Sequence, residues 1–177
     1  MTRHSAFAPV VDASTRVLIL GSLPGRMSLA AGRYYAHPRN LFWPLIGTVI
    51  GREIARLAYA ERLAALRAAG VGLWDTLASA RRHGSLDAAI REGETAELAQ
   101  LVATLPELRA VGFNGRKAAG IGRRQLSGSG LALIDLPSSS PAYAAMPLAA
   151  KTARWTALRE YLGPALPTSR RRPMEKA

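Results

Sequence analysis

The sequence predicts one α/β domain, built as a three-layer α/β/α sandwich around a four-stranded, mainly parallel sheet. Two observations lead to this fold class: short apolar runs typical of buried strands, and segments of helical period between them. The apolar runs are RVLIL (16–20), VGLW (71–74), RAVGF (109–113) and LALIDL (131–136). Because they are apolar without alternation, we expect helices on both faces of the sheet. Right-handed crossovers between strands then favour parallel pairing.

The helical segments are predicted in chain order between and after these strands. They are NLFWPLIGTVI (40–50), AERLAALRAAG (60–70), SLDAAIREG (85–93), ETAELAQLVATL (94–105), GRKAAGIGRRQL (115–126) and PLAAKTARWTALREYLG (147–163). Gly70 is a suitable αL stop for the second segment. Ser85 is the predicted N-cap of the third, with Asp87 in its positive first turn. Pro147 suits the first helical position of the last segment, and Gly163 follows its end.

Length and composition fit one domain of 1–163, followed by a basic, proline-rich tail of 164–177 that we expect to be disordered. No apolar run approaches the roughly 20 residues of a membrane span. The N-terminus has no secretory h-region, so a cytoplasmic location is expected. The chain lacks cysteine, which excludes disulfides, thiol nucleophiles, cysteine-ligated zinc and thiolate-held iron–sulfur clusters.

The charge balance indicates a polyanionic partner. Lys and Arg number 24 against 12 Asp and Glu, a formal net charge of +12. The tail carries only a small part of this excess, so most of it belongs to the folded region. Nucleic acid is the natural partner of such a charge, because each neutralised phosphate releases counterions. The alternative is a compositional preference for Arg over Lys, since Lys occurs only at 117, 151 and 176.

Polar or Gly/Pro-rich residues follow each predicted strand. Because ligands gather at the carboxyl ends of parallel strands, we expect these residues to converge on one crevice. They are Gly21, Ser22, Leu23, Pro24 and Gly25 after the first strand, Asp75 and Thr76 after the second, Asn114 and Gly115 after the third, and Pro137, Ser138, Ser139, Ser140 and Pro141 after the fourth.

The segment YYAHPRNLFW (34–43) combines flat rings with polar groups. Tyr35 and Phe42 could stack on a base, and Asn40 could read its edge, which is what a flipped-base pocket needs. The alternative is that Phe42 and Trp43 are core residues that anchor the next helix.

The segment LPSSSPAYAAM (136–146) places three hydroxyls between two prolines. Serine hydroxyls or backbone N–H groups can hold phosphates, and Tyr143 or Met146 can fill the space that a flipped base leaves. The alternative for one of the serines is a turn that caps the last helix.

Taken together, these motifs resemble the uracil-DNA glycosylase superfamily, and specifically its DNA-deoxyinosine (hypoxanthine) glycosylase-like branch. YYAHPRNLFW is similar to the YA-x-P-x-N-x-FW segment of the mismatch-specific thymine/uracil glycosylases. GLWDTLASARRHGSLDAAI and LPSSSPAYAAM resemble the third and second motifs, and the match runs from about Arg16 to Leu162. The resemblance implies a four-stranded parallel sheet with flanking helices, a monofunctional base-excision activity, and no metal or other cofactor.

The resemblance also implies roles for single residues. Asn40 matches the main catalytic residue of the branch, and its amide can position a water and donate to the leaving base. The alternative for Asn40 is an N-cap of the helix that starts at Leu41. The expected base-binding residues are Gly21, Ser22, Leu23, Pro24, Gly25, Tyr35, Phe42 and Asp75. The expected DNA-binding residues are Arg39, Ser138, Ser139, Ser140, Pro141 and Tyr143.

Three positions depart from the best-studied uracil-specific branch. Leu23 stands where that branch has an aspartate that orients water, and Leu136 where it has a histidine that contacts the departing base. Gly25 replaces a tyrosine that walls off C5 of uracil. These changes predict a more open pocket without the familiar acid and base.

Asp75 lies where the uracil branch has an asparagine that reads the base. A carboxylate accepts from N–H groups only, unless burial raises its pKa so that it also donates. The alternative is a structural ion pair with Arg81 or Arg82. Asn114 is expected only to shape the turn into the next helix.

The predicted function is therefore a DNA glycosylase of base-excision repair that removes a deaminated base, with uracil and hypoxanthine both open. Its partner is DNA that contains the deaminated base, with no membrane involved, and a monomer is expected. Two alternatives are a catalytically silent module that binds DNA lesions and an α/β nucleotide-binding protein unrelated to DNA.

Overall fold

The computed structural model describes residues 2–82 and 85–163, so the predicted tail of 164–177 lies outside the described residues. The strands are β1 Thr2–Ser5, β2 Val17–Gly21, β3 Val71–Asp75, β4 Leu77–Arg82, β5 Ile90–Thr95, β6 Ala110–Asn114 and β7 Ala132–Leu136. The helices are α1 Arg26–Ala31, α2 Phe42–Ile50, α3 Tyr59–Ala69, α4 Leu98–Ala103, α5 Arg116–Leu126 and α6 Leu148–Thr156, with 3-10 turns at Asp87–Ala89 and Ala157–Tyr161.

The four predicted apolar runs form the main sheet as β2, β3, β6 and β7. Its strand order is β3-β2-β6-β7, and every neighbouring pair is parallel. The prediction of a four-stranded parallel sheet is confirmed, and all four strands end on the same edge.

The continuous apolarity of the strands is explained by cores on both faces of this sheet. Along β2, Val17 and Ile19 join one buried cluster with residues of α2, α3 and α6, while Leu18 and Leu20 join a second with residues of α4 and α5. Alternate strand residues point to opposite faces, so both sets must be apolar. The three-layer architecture is confirmed.

The prediction of a helix over SLDAAIREG is wrong. Asp87–Ala89 form a 3-10 turn, and β5 follows at Ile90–Thr95. This strand belongs to a second, antiparallel sheet of order β1-β4-β5, which the sequence did not predict. The residues that resembled a helix start make tertiary contacts instead: Ser85 Oγ accepts from the Arg26 N–H, and Asp87 Oδ1 accepts from the Ser22 hydroxyl.

The other helices lie close to their predicted positions. Gly70 ends α3 in the left-handed region at φ 84°, as predicted. Pro147 is the N-cap of α6 and not its first helical residue. None of the described helices is long and apolar enough to cross a membrane.

Candidate active site

A cavity of about 480 Å³ lies at the carboxyl edge of the parallel sheet. Each of the four strands contributes to it, through Gly21 at the end of β2, Asp75 of β3, Asn114 of β6 and the loop after β7. The cavity is within the range of pockets that bind small molecules. The convergence expected from parallel topology is therefore present.

Most of the predicted site residues line this cavity. They are Gly21, Ser22, Leu23, Pro24, Gly25, Tyr35, Asn40, Asp75, Ser138, Ser139, Ser140, Pro141 and Tyr143. Phe42 and Arg39 do not line it. Arg39 is exposed on the same loop as Asn40, where it can still reach DNA outside the cavity.

The prediction that Phe42 contacts the base is wrong, because its side chain is fully buried. Its ring lies 3.9 Å from the ring of Tyr35, with 15° between the planes, and meets Trp43 and Trp155 edge-on. Phe42 and Trp43 are thus the core anchors that the alternative interpretation described. Phe42 acts on the cavity only through Tyr35.

Tyr35 is the aromatic side chain best placed to meet a base. Its backbone has φ 53°, a left-handed conformation that is uncommon for residues other than glycine. One face of its ring rests on Phe42, and its hydroxyl accepts from Asn114 Nδ2 at 3.2 Å. Burial raises the pKa of this phenol, so it stays neutral. The ring is therefore fixed in position, by Phe42 on one face and by Asn114 at its hydroxyl.

Asn114 has a larger role than the sequence suggested. Its Nδ2 donates to Ser139 Oγ at 2.9 Å, and its Oδ1 accepts from the Ser139 N–H at 2.9 Å. The Ser139 carbonyl in turn accepts from the Leu41 N–H at 3.0 Å. We call Asn114, Ser139 and the Tyr35 hydroxyl the bracket. Its hydrogen bonds connect the end of β6, the loop that carries Ser138, Ser139 and Ser140, and the segment that carries Asn40.

The bracket changes the prediction for the three serines. Ser139 is 1% exposed, so it is a structural link and not a phosphate contact. Ser138 and Ser140 are half-buried, and their Oγ atoms accept from the N–H groups of Ser140 and Ala142. These are local turns within the loop, and Pro147, not a serine, is the N-cap of the last helix.

Two side chains of α6 support the same loop from below and were not predicted. Lys151 is buried, and its Nζ donates to the carbonyls of Ser138 at 2.8 Å and Tyr143 at 2.6 Å. Trp155 Nε1 donates to the Pro137 carbonyl at 2.9 Å. The ring of Tyr143 stays 37% exposed at the mouth of the cavity.

Asn40 is half-buried and lines the cavity. Its Oδ1 accepts from the Phe42 N–H at 2.9 Å, which is the helix-start contact of the alternative interpretation. Its Nδ2 has no hydrogen-bond partner among the described residues. The amide is therefore fixed through its oxygen, while its two N–H donors remain available.

Asp75 is 3% exposed, and its Oδ2 has no hydrogen-bond partner within the described chain. A Cβ at Gly21 would lie 2.8 Å from Asp75 Oδ1, so only glycine allows this approach. The expected alternative, an ion pair with Arg82, is not formed. Arg82 is itself buried and donates to the Leu23 and Pro24 carbonyls, so it cannot contact DNA.

The pKa of Asp75 is raised from 3.8 to about 7. Burial is the main cause, because it disfavours the charged form. The charge of Asp87 raises the pKa further, and the positive charge of Arg82 lowers it in part.

Exposed apolar side chains line the cavity, and of these the sequence analysis named only Tyr143. Met27 (47% exposed), Leu86 (57%) and Tyr143 (37%) all line it. Leu148 is the remaining exposed large hydrophobic residue of the described chain, and it lies outside the cavity. Leu86 was assigned to a helix that does not form, so its position could not be predicted.

The three departures from the uracil-specific branch have different environments. Leu23 lines the cavity and is 6% exposed. Leu136 belongs to the core and does not line the cavity. At Gly25, a Cβ would meet only Ser85, at 3.5 Å and beyond, so this wall has room.

Comparisons with known proteins agree with the fold. Residues 8–162 match the family model described as the uracil DNA glycosylase superfamily. A hypoxanthine DNA glycosylase of Methanosarcina barkeri is 40% identical over 116 residues, covering 66% of this chain and 73% of that protein. A hypoxanthine DNA glycosylase of Methanosarcina acetivorans is 41% identical over 136 residues, covering 77% and 85%.

A solved structure is also similar over nearly the whole chain. It is a solution NMR structure of a candidate uracil DNA glycosylase from Methanosarcina acetivorans, with a TM-score of 0.82 and 36% identity. The match covers 91% of this chain and 99% of that one.

Proposed function

The chain belongs to the uracil DNA glycosylase superfamily and is a DNA glycosylase of base-excision repair, and we propose that its principal substrate is hypoxanthine in DNA. The observation that carries the proposal is a pair of unpartnered polar groups, Asn40 Nδ2 and Asp75 Oδ2, in one cavity that also holds an aromatic platform. The names of the two archaeal relatives support hypoxanthine, and the open wall at Gly25 provides room for a purine.

The flipped base is held by Tyr35, with the ring face away from Phe42 available for stacking. Stacking of a base on an aromatic side chain is worth about 1–3 kcal/mol and does not depend on the base. The base edge is therefore read elsewhere, and Asp75 is the buried polar group of the cavity that lacks a partner. Tyr35 provides affinity and Asp75 provides selectivity.

Asn40 assists the departure of the base. The bond between C1′ and the ring nitrogen breaks with both electrons leaving on the base, and a water oxygen then bonds to C1′ while its proton passes to the base anion. An amide does not ionise at neutral pH, but its N–H groups can stabilise a developing anion. Because Asn40 Oδ1 is already held by the Phe42 N–H, we assign donation by Nδ2 to Asn40 and not the positioning of water.

DNA binds across the mouth of the cavity. Tyr143 is the better placed of the two proposed wedge residues, because it is exposed at the mouth, whereas Met146 is half-buried and does not line it. Ser138, Ser140 and Pro141 line the cavity, and Arg39 is exposed on the segment that carries Asn40. We assign to these four residues the contacts with the sugar–phosphate backbone. The net charge of +12 supports this mode of binding.

The catalytic unit is one domain of 1–163. The same domain carries Tyr35, Asn40 and Asp75, and we expect it to act as a monomer. Because the substrate is the cell's DNA, we expect the enzyme to act in the cytoplasm.

The direct test uses single-stranded oligonucleotides that hold one hypoxanthine or one uracil, followed by alkaline cleavage of abasic sites. We expect scission with hypoxanthine at a rate above that with uracil. Equal or faster scission with uracil would overturn the substrate assignment.

If neither oligonucleotide is cleaved, the silent DNA-binding module is favoured. That alternative is supported by the lack of an acidic or basic side chain at positions Leu23 and Leu136. An oligonucleotide with normal guanine at the same position is the control for nonspecific cleavage.

A further inference from the structure

We propose that Asp75 binds the flipped base as an uncharged carboxylic acid, which donates a hydrogen bond to the base carbonyl and accepts one from the neighbouring ring N–H. The inference rests on the proposed function, because it names the form in which the same cavity reads hypoxanthine. It follows that the affinity of the enzyme for this base falls when Asp75 ionises.

The geometry around Asp75 favours the uncharged form. The side chain is 3% exposed, and its Oδ2 is buried without a hydrogen-bond donor among the described residues. A buried ionised carboxylate is expected to accept hydrogen bonds from a cation or from several N–H groups. Asp75 accepts no such bond within the described chain, and Arg82, on the next strand along the chain, acts on it only through its charge.

Arg82 makes no hydrogen bond to Asp75 within the described chain, although its positive charge lowers the pKa of Asp75 in part. Its two terminal nitrogens donate to the carbonyls of Leu23 and Pro24, which fixes the loop after β2. The cation therefore supports the cavity wall, and it leaves the Asp75 oxygens without a charged hydrogen-bond donor.

Of the other groups around Asp75, Asp87 opposes its ionisation and the rest are neutral. Asp87, from the 3-10 turn, contributes a second negative charge on the cavity. Tyr34 and Tyr35, from the loop after β2, are phenols whose own pKa values are raised by burial and by Asp75, so both are neutral. Asn114 of β6 is neutral and engaged in the bracket. With burial as the first cause, the pKa of Asp75 lies at about 7.

The uncharged acid matches the bond pattern of a deaminated base. Hypoxanthine presents a carbonyl beside a ring N–H, and a carboxylic acid has one O–H donor beside one acceptor oxygen. An ionised carboxylate has acceptors only, so it would repel the carbonyl. Two adjacent N–H donors, such as N1 and N2 of guanine, suit the ionised form instead. The uncharged acid pairs with the carbonyl and ring N–H that hypoxanthine and guanine share, so the charge of Asp75 sets the affinity for this edge and not the choice between those two bases.

The test compares Asp75→Asn with the wild-type enzyme. Asparagine keeps one donor and one acceptor at every pH, so it copies the uncharged acid without titrating. Hypoxanthine release from a single-stranded oligonucleotide is measured with enzyme in excess between pH 5.5 and 9. The control variant is Glu53→Gln, which removes a carboxylate that is 78% exposed and does not line this cavity.

We expect the wild-type and Glu53→Gln rates to fall about tenfold for each pH unit above about 7, because the uncharged fraction falls by that factor. Asp75→Asn should lack this fall. Between pH 7 and pH 9 its rate should stay level, while the wild-type rate drops about 100-fold. Ionisation of the base itself affects all three proteins equally and cancels in the comparison. A wild-type rate that stays level, or an Asp75→Asn rate that falls in parallel, would overturn the inference.

A second measurement keeps the inference testable if the variant is unstable or inactive. Wild-type protein labelled with ¹³C at its aspartate carboxyls is titrated by NMR, and the Asp75 signal is identified by its loss in Asp75→Asn. A signal of the protonated form at pH 6 supports the inference, and an ionised signal at pH 5.5 contradicts it. Absence of hypoxanthine release at every pH would refute the proposed function instead, and the carboxyl titration alone would then decide the charge of Asp75.

Discussion

Two corners of the cavity differ in how their polar groups are satisfied. In the bracket, both ends of the Asn114 amide are bonded, to Ser139 and to the Tyr35 hydroxyl. In the corner that we call open, Asn40 Nδ2 and Asp75 Oδ2 have no partner among the described residues. Buried polar groups are normally hydrogen-bonded, and an unpaired one is costly. The bracket therefore holds the loops of the cavity in place, and the polar groups of the open corner are available to bind a substrate.

The comparison also separates two amides that residue type and turn position alone do not distinguish. Asn40 and Asn114 both follow the pattern of turn residues before a helix. The structure leaves donors free on Asn40 only, so we expect substitution of Asn40 to affect chemistry and substitution of Asn114 to affect stability. The predictions below test this division, in order of expected size.

The largest effect is expected for Asn40→Ala. Loss of one preorganised donor should slow hypoxanthine release about 10²–10³-fold in single-turnover measurements. Binding of an oligonucleotide that holds hypoxanthine, followed by fluorescence anisotropy, should change by less than about threefold. Unfolding free energy should fall by only about 1 kcal/mol, because the contact to the Phe42 N–H is lost. An unchanged release rate would remove Asn40 from the mechanism.

The second effect is a gain in stability. Replacing Asp75 should raise the unfolding free energy at high pH, whereas Asn40→Ala lowers it. The folded-state pKa of about 7 lies above the unfolded value of 3.8, so the wild type loses stability as pH rises through this interval. Asp75→Asn has no such loss and should be more stable above pH 7, by at most about 4 kcal/mol. Urea unfolding at pH 5 and pH 8.5 measures the difference. Equal pH dependence in both proteins would show that Asp75 does not carry an ionisation penalty.

The third effect concerns the bracket. Asn114→Ala leaves the Ser139 N–H unpaired, which should lower the unfolding free energy by about 1–3 kcal/mol at pH 7. Hypoxanthine release should also slow, because Tyr35 and the Asn40 segment lose a shared support. The variant Asn40→Ala is the matched comparison, with a larger rate loss and a smaller stability loss. Full stability of Asn114→Ala would remove the distinction between the two corners.

The smallest effect is expected at the mouth. Tyr143→Ala should slow release from duplex DNA by about tenfold or less and leave release from single strands nearly unchanged, because a wedge is needed only to fill a base stack. Leu148→Ala is the control, since Leu148 is similarly exposed but does not line the cavity. Equal losses on both substrates would assign Tyr143 to the pocket and not to the wedge.

The parallel sheet could be predicted because its strands are buried on both faces. Val17 to Leu20 must all be apolar when each face has its own core, and such runs are visible in the sequence. The antiparallel sheet could not, because its strands are not continuous apolar runs. In β4, the run Leu77–Arg82 mixes two alanines with two arginines. Its pairing partners, β1 and β5, lie far apart from each other in the sequence.

The site was predictable where a residue acts by its position at a strand end, as with Gly21 and Asp75. It was not predictable where burial decides. Phe42 and Tyr35 are both aromatic residues of one loop, and only the stacking order of their rings shows which one faces the cavity. Ser139 resembled a DNA contact and Arg82 an ion-pair partner of Asp75, but both are buried and bonded to other groups of the protein.

The central claim is that a free side-chain amide donor, held by its own oxygen, supports departure of hypoxanthine. The most direct measurement is single-turnover release by Asn40→Asp, in which the carboxylate keeps the acceptor for the Phe42 N–H and loses both N–H donors. We predict a loss of about 100-fold or more at pH 7 with thermal stability close to that of the wild type. Release at the wild-type rate would contradict the claim, because donation by Asn40 would then be unnecessary.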